Sequence, residues 1–358
     1  DAAIYSTANL TLTGEGSLSV KGAYEEGIHT TGGLVIASGT LEVNAANTGI
    51  KGKDYVDITG GIVNVTAAQD GIKSTNTDDE SMGFTRLSAG SVTVSAGDDG
   101  LKAPHTLEIS GGTLNIEKSN EGIEAQYINI LDGDVTVNST DDGINASLKD
   151  SSSDTSSDTT SGTATTGQQT QQNQNGQVQQ APAGGGAAPG GSQGSTGQNQ
   201  NMPQPPTDGA MPGGGTFEVV DAAINISGGT VTVNAEGDGI DSNGTATFSG
   251  GTVTVNGPAA GGNNALDSNG DLLLHGGTVT TGSTADMFEA PSSASTSGYL
   301  KITDSSALTQ GSTVQVTDSS GTVVANYKIT TSGVQLVLVS NKNIVKGQDY
   351  KVYVASGD

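Results

Sequence analysis

An acidic-Gly-aliphatic triplet returns along this chain at a nearly fixed interval. It reads Glu26-Gly-Ile28, Thr48-Gly-Ile50, Asp70-Gly-Ile72, Asp99-Gly-Leu101, Glu121-Gly-Ile123, Asp142-Gly-Ile144 and Asp238-Gly-Ile240, then Asn264-Ala-Leu266 and Asp286-Met-Phe288. The aliphatic position advances by 22, 22, 29, 22, 21, 96, 26 and 22 residues. Five of these eight steps are 21 or 22, and a fixed period of that size marks a solenoid. Each unit carries three strand-like pieces. After Gly100 they are Leu101-Lys-Ala103, Thr106-Leu-Glu-Ile109 and Thr113-Leu-Asn-Ile-Glu117, with Ser110-Gly-Gly112 as a corner. Apolar and polar residues alternate inside each piece, as half-buried strands require.

Three short strands in about 22 residues close one turn of a parallel β-helix, with turns stacked about 4.8 Å apart. The fold expected is all-β, a right-handed parallel β-helix of about nine rungs, its hand argued from the general crossover preference. Calcium rolls and leucine-rich repeats fit worse, because neither a GGxGxDxUx run nor an LxxLxL frame is present. Composition agrees with short strands between turns: 55 residues are Gly, aromatics are 3%, and Trp and Cys are absent. Without Cys there is no disulfide and no thiolate metal site.

The period divides the chain. Rungs are expected over residues 1–147 and 221–292. Residues 148–220 are rich in Ser, Thr, Gln, Asn, Gly and Pro, and are expected to form a disordered loop extruded from one rung. The rival reading is an interdomain linker, but the motif resumes in phase beyond it. Residues 293–358 lose the period and read as antiparallel strands capping the coil. The start, Asp1-Ala-Ala-Ile-Tyr5, lacks signal-peptide character and reads as a point within an ongoing repeat.

Stacking converts motif positions into columns. Ile28, Ile50, Ile72, Leu101, Ile123, Ile144, Ile240 and Leu266 become an inward ladder, at about 1.5–3 kcal/mol per buried side chain. Two residues earlier lies an acidic column, often doubled by a preceding acid. Carboxylates about 5 Å apart repel by about 1 kcal/mol in water and by more near protein. Two readings stay open: oxygen ligands gather Ca²⁺, or the carboxylates fan outward onto turn N–H groups. The candidate metal ligands are Asp70, Asp98, Asp99, Glu121, Asp141, Asp142, Asp238, Asp241, Asn264 and Asp267.

One residue after the ladder, the outward column reads His29, Lys51, Lys73, Lys102, Glu124, Asn145, Asp241, Asp267 and Glu289. With 13 Lys+Arg against 38 Asp+Glu, the formal charge is −25. Three lysines in register therefore stand out. Lys51, Lys73 and Lys102 either hold the carboxylates of an acidic sugar or offset the neighbouring acids. The same charge speaks against nucleic acid and against anionic membranes, and no apolar run is long enough to insert into a bilayer. The 29-residue step inserts a loop at Ser74–Phe84 with Asp78, Asp79 and Glu80. It is expected either to close a cation or sugar site or to be a tolerated surface insertion.

On Asp70-Gly-Ile-Lys-Ser-Thr-Asn76, Asp142-Gly-Ile-Asn-Ala146, Gly237-Asp-Gly-Ile-Asp-Ser-Asn-Gly244, Ala265-Leu-Asp-Ser-Asn-Gly270 and Lys346-Gly-Gln-Asp-Tyr-Lys-Val-Tyr-Val354, the sequence resembles a known family. It is the secreted clostridial, calcium-binding, polysaccharide-lyase-like β-helix family that binds cellulose and acidic sugars, labelled carbohydrate-binding domain-containing protein. The resemblance runs from Ala2 to about Val354. It implies a pectate-lyase-like coil, bound Ca²⁺, an extracellular or cell-surface bacterial location, and sugar binding without established lyase activity.

Three functions follow as expectations. The first is a non-catalytic, calcium-stabilised binder of plant cell-wall polysaccharide or another acidic glycan, such as polygalacturonate, with cellulose as a further ligand. A monomer is favoured. The lack of Trp leaves Tyr24, Tyr55 and Tyr127 as early stacking candidates. The second is a lyase-type β-elimination enzyme, in which Lys73 or Lys102 would need a lowered pKa to act as base beside Ca²⁺. The third is a structural or adhesive surface module. His29, His105 and His275 occupy unrelated positions, so no His-based metal site or triad is assigned.

Overall fold

The computed structural model describes residues 1–148 and 218–356. The expected disordered loop therefore lies almost wholly outside the described residues. No helix forms among those described.

The motif strands make one parallel sheet. Its nine members are Ile4–Ser6, Ile28–Thr30, Ile50–Gly52, Ile72–Ser74, Leu101–Lys102, Ile123–Ala125, Ile144–Ala146, Ile240–Ser242 and Leu266–Ser268. The aliphatic positions pair in strict register from Ile4 through Ile28 to Leu266. From Ile28 onward they are buried. The chain is thus a parallel β-solenoid, and the expected columns exist. Across the 96-residue step, Ile144–Ala146 pairs with Ile240–Ser242 and Tyr127–Ser139 pairs with Thr230–Ala235.

A second sheet of 18 strands forms the other two faces of each turn. Thr106–Ser119 and Tyr127–Ser139 run unbroken through the corner between those faces. The bend is made at Gly112 and Gly133, with φ of 80° and 103°. At that angle a side chain would be strained, and a Cβ on Gly112 would sit 2.8 Å from Gly90 O. The motif glycine has a different cause. A Cβ on Gly71 would meet Val94 Cγ1 at 2.3 Å and the next rung's Gly100 O at 2.6 Å. Close packing between rungs, rather than backbone freedom, therefore fixes Gly in the triplet. Ala265 takes that place in the last rung, where the following triplet forms no strand.

That following triplet corrects the expectation. Asp286-Met-Phe288 lies in a turn, and Phe288 only packs partly buried against the core. The ninth strand is instead Ile4–Ser6, at the opposite end.

Beyond the coil the strands reverse direction. Leu336–Ser340 pairs antiparallel with Thr278–Ser283 on one side and Tyr299–Thr303 on the other. Thr313–Thr317 pairs antiparallel with Val323–Lys328 and Lys351–Ala355 in a separate sheet. Tyr299–Thr303 lies in the stretch read as antiparallel strands, and Tyr-Leu-Lys-Ile-Thr alternates as a strand should. A polar chain fastens this region to the coil. Asn234 Nδ2 donates to Asn138 Oδ1 at 2.9 Å, Asn256 Nδ2 to Asn234 Oδ1 at 2.8 Å, and Tyr327 Oη to Asn256 Oδ1 at 2.9 Å.

Candidate functional site

The motif sheet presents its outward column as Tyr5, His29, Lys51, Lys73, Lys102, Glu124, Asn145, Asp241 and Asp267, all in pairing register. Beside it runs the corner column. Each motif Gly N–H donates to the corner carbonyl of the next rung, from Gly27 to Thr48 O through to Gly239 to Asn264 O. These main-chain bonds hold successive corner side chains one strand spacing apart.

At the basic end each lysine of the outward column pairs with a carboxylate, although burial still pushes Asp99 up to about 8 and no ion pair reaches Asp98 among the described residues. Lys73 Nζ lies 2.7 Å from Asp70 Oδ2. Lys102 Nζ contacts Asp99 and lies 2.7 Å from Glu124 Oε2 on the next rung. Lys51 has Thr48 at its own corner and reaches back to Glu26 at 3.3 Å. These side chains are only 15–25% exposed. Burial works against the Lys102 ammonium, but Asp99 and Glu124 outweigh it and hold its pKa above the usual lysine range. Removal of a proton from a substrate needs the opposite shift. The three lysines, expected either to hold a sugar's carboxylates or to offset neighbouring acids, pair with the protein's own carboxylates, and Lys102 is not poised as a base.

Farther along, the ammonium groups stop and the acids continue. Ligand oxygens of Asp142, Asp238 and Asp241 lie within 4.8 Å of one another. The same holds for Asp99, Glu121 and Glu124, and for Asp70, Asp98 and Asp99. Lys73 and Lys102 already contact the last two groups. Among the described residues, no ion pair reaches Asp142, Asp238 or Asp241. Their charge is compensated only in part by main-chain donors. Asp142 Oδ1 accepts the Asp238 N–H at 2.8 Å, and Asp238 Oδ1 accepts the Asn264 N–H.

The acids respond as crowded carboxylates do. Burial pushes Asp241 up to about 8, with the charges of Asp142, Asp267, Asp238 and Glu121 adding to it. Burial and then Glu124 raise Glu121 to about 7, against the hydrogen bond from Asn145. Asp142 and Asp238 reach about 6, again chiefly through burial. Burial and a hydrogen bond with Asp267 push Glu289 upward. Asn145 donates to Glu121 Oε2 at 3.2 Å, while its own Oδ1 is buried without a hydrogen-bond partner. The Asp142–Asp238–Asp241 cluster is an oxygen-only donor set, which suits a hard divalent cation, and the orphaned Asn145 oxygen belongs to Asp142's own rung.

Seven of the nine predicted carboxylate ligands therefore meet in clusters, Asp141 and Asp267 stand outside them, and the tenth candidate, Asn264, gives its main-chain N–H to Asp238 Oδ1. Asn264 turns its Nδ2 to Met287 O at 2.6 Å. Glu124 was missed as a ligand, though its place directly after three lysines in the outward column marked it. The Ser74–Phe84 loop ties to itself: Asn76 Oδ1 accepts the N–H groups of Asp78 and Asp79 at 3.0 and 3.1 Å. Among the described residues its acids join no cluster. Tyr55 is no open platform either. Its ring stacks on Phe84 at 5.0 Å, and its other side approaches Gly33, where a Cβ would fall 2.0 Å from Tyr55 Cζ.

A family model described as carbohydrate-binding domain-containing protein matches residues 1–168. The matched stretch contains the lysine segment and the acids as far as Asp142, whereas Asp238 and Asp241 lie beyond it. No curated protein and no solved structure matches the chain. The matching family and the parallel solenoid both fit polysaccharide binding.

Proposed function

We propose that this chain is an extracellular, non-catalytic polysaccharide-binding protein whose acidic rungs hold Ca²⁺. Acidic glycans of the plant cell wall, polygalacturonate among them, are its ligands. One observation carries the reading. Lysines of the outward column pair with the corner acids Glu26, Asp70 and Asp99, whereas no ion pair reaches the Asp142–Asp238–Asp241 cluster among the described residues.

Asp142, Asp238 and Asp241 would hold the ion, and Asn145, whose Oδ1 is buried without a partner, lies on Asp142's own rung in register with Asp241. A bound Ca²⁺ supplies positive charge to which a uronate carboxylate adds as a further oxygen ligand. The protein's own part is to fix these oxygens on a rigid ladder and to present a flat strand face along which an extended glycan lies. The non-catalytic reading is preferred because both candidate bases are paired with carboxylates, Lys73 with Asp70 and Lys102 with Asp99 and Glu124.

The test is retention on polygalacturonate with Ca²⁺ and with chelator, for wild type and Asp241→Asn. Calcium-dependent retention lost in the variant is the expected result. Equal retention under all four conditions overturns the calcium half of the reading. Absence of retention on polygalacturonate and cellulose alike overturns the glycan half.

A further inference from the structure

The C-terminal region holds a cavity of about 440 Å³ between residues 291–300 and 344–350. That size lies within the roughly 300–1,000 Å³ typical of small-ligand sites. Its composition departs from the rest of the molecule. In a chain of net charge −25, no Asp or Glu lines it. Its walls bring together the phenols of Tyr299 and Tyr350, the hydroxyls of Ser293 and Ser297, the Gln348 amide and the Lys346 ammonium. Lys346 makes no ion pair among the described residues, unlike Lys51, Lys73 and Lys102.

The walls are built in advance. Ser292 N–H donates to Leu272 O at 2.8 Å and Ser297 N–H to Leu274 O at 2.9 Å, so one wall is laid along the last rung. Ser292 Oγ and Ser295 Oγ accept the N–H groups of Leu272 and Leu274 at 3.2 and 3.0 Å. On the opposite wall, Tyr350 Oη accepts the Val345 N–H at 2.7 Å and donates to Asn343 O at 2.8 Å, which fixes its ring. The walls meet at the base, where a Cβ on Gly298 would come within 2.5 Å of Ile344 O.

We infer that this cavity is a second saccharide site, which takes the end of an oligosaccharide bearing a carboxylate. Phenol rings suit the C–H face of a pyranose, hydroxyl and amide groups exchange hydrogen bonds with its hydroxyls, and the unpaired ammonium selects an anionic unit. The inference rests on the glycan-binding reading but not on its ion site, since no carboxylate is present here to hold a cation. It also places binding outside residues 1–168, the stretch that the family model covers.

Titration calorimetry of the whole chain with tetragalacturonate, in Ca²⁺ and in chelator, separates the two sites. Binding through the acidic rungs disappears in chelator, whereas binding in the cavity persists. Lys346 and Gln348 are exposed, so Lys346→Ala and Gln348→Ala leave the fold intact, as an unchanged melting temperature will show. Together they are expected to weaken the chelator-resistant binding at least tenfold while sparing the calcium-dependent part. Chelator-resistant binding that is absent, or that survives both substitutions, overturns the cavity site and leaves the polysaccharide reading standing. Binding of cellotetraose as tight as that of tetragalacturonate overturns its assignment to an anionic unit. Loss of all glycan binding by the wild type overturns both.

Discussion

The two ends of the outward column obey the same geometry and reach opposite electrostatic solutions. From Lys51 to Lys102 the corner carboxylates Glu26, Asp70 and Asp99 each have an ammonium on their own rung or the next. From Asn145 to Asp267 the strand positions are equally well registered, yet they add acid to acid. Stacking alone therefore does not create a cation site. It creates a demand for positive charge, which one end meets with its own side chains and the other leaves to the solution.

Removing an internal cation should produce the largest effect. Lys102→Met leaves Asp99 and Glu124 facing each other with their ammonium gone. A loss of roughly 3–5 kcal/mol in denaturant unfolding is expected, as for broken buried pairs. A loss below about 1 kcal/mol would mean that Lys102 is dispensable to the balance. Next comes calcium itself. At about 100 times its dissociation constant, Ca²⁺ should stabilise the wild type by about 2.7 kcal/mol, and Asp241→Asn should abolish that gain. Thermal melts with and without the ion measure both. If Lys102→Met responded more strongly to Ca²⁺ than the wild type, the ion would be entering the basic end, and the contrast would sharpen into simple competition.

The acidic end also predicts a pH dependence. In the unfolded chain these carboxyls titrate near 4, whereas in the folded chain Asp241 is raised to about 8 and Asp142 and Asp238 to about 6. Between those limits the folded state holds more protons than the unfolded state, so stability falls as pH rises. In chelator the melting temperature should therefore decline from pH 4 toward 8 and level off above it. Saturating Ca²⁺ should flatten that slope, and Asp241→Asn should reduce it without any ion. A melting temperature that rises over this range in chelator would contradict the burial of the acidic end. The smallest effect belongs to Lys51→Met. Its longer contact with Glu26, at 3.3 Å, should be worth no more than about 1 kcal/mol by the same unfolding measurement.

The coil was legible because a period maps sequence positions directly onto spatial columns. Ile28 to Leu266 needed only spacing and polarity. What spacing could not show was which rung at an end would actually form. Ile4–Ser6 lacks an acidic-Gly prelude yet pairs with Ile28–Thr30, while Asp286-Met-Phe288 keeps part of the pattern and lies in a turn. The antiparallel strands were visible as alternating runs, but their partners depend on chain reversal, about which periodicity is silent.

The site divides in the same way. Registration of Lys51, Lys73 and Lys102 with Glu124 and Asp241 followed from the frame. Their pairing did not, because a lysine side chain is long enough to choose its own corner, as Lys73 does, or an adjacent one, as Lys51 does. Of the two readings open for these lysines, the ion pairs fit the one in which they offset neighbouring acids. Glu289 was recognised as part of the column, but its contact with Asp267 depends on a turn that departs from the repeat.

The reversed strand Leu336–Ser340 has a consequence for growth. A parallel stack exposes the same edge that it would accept, so coils of this kind are in principle able to join head to tail into filaments. Here the last parallel strand, Thr278–Ser283, is already engaged by a partner running the other way. An incoming coil would find that docking edge taken on this face.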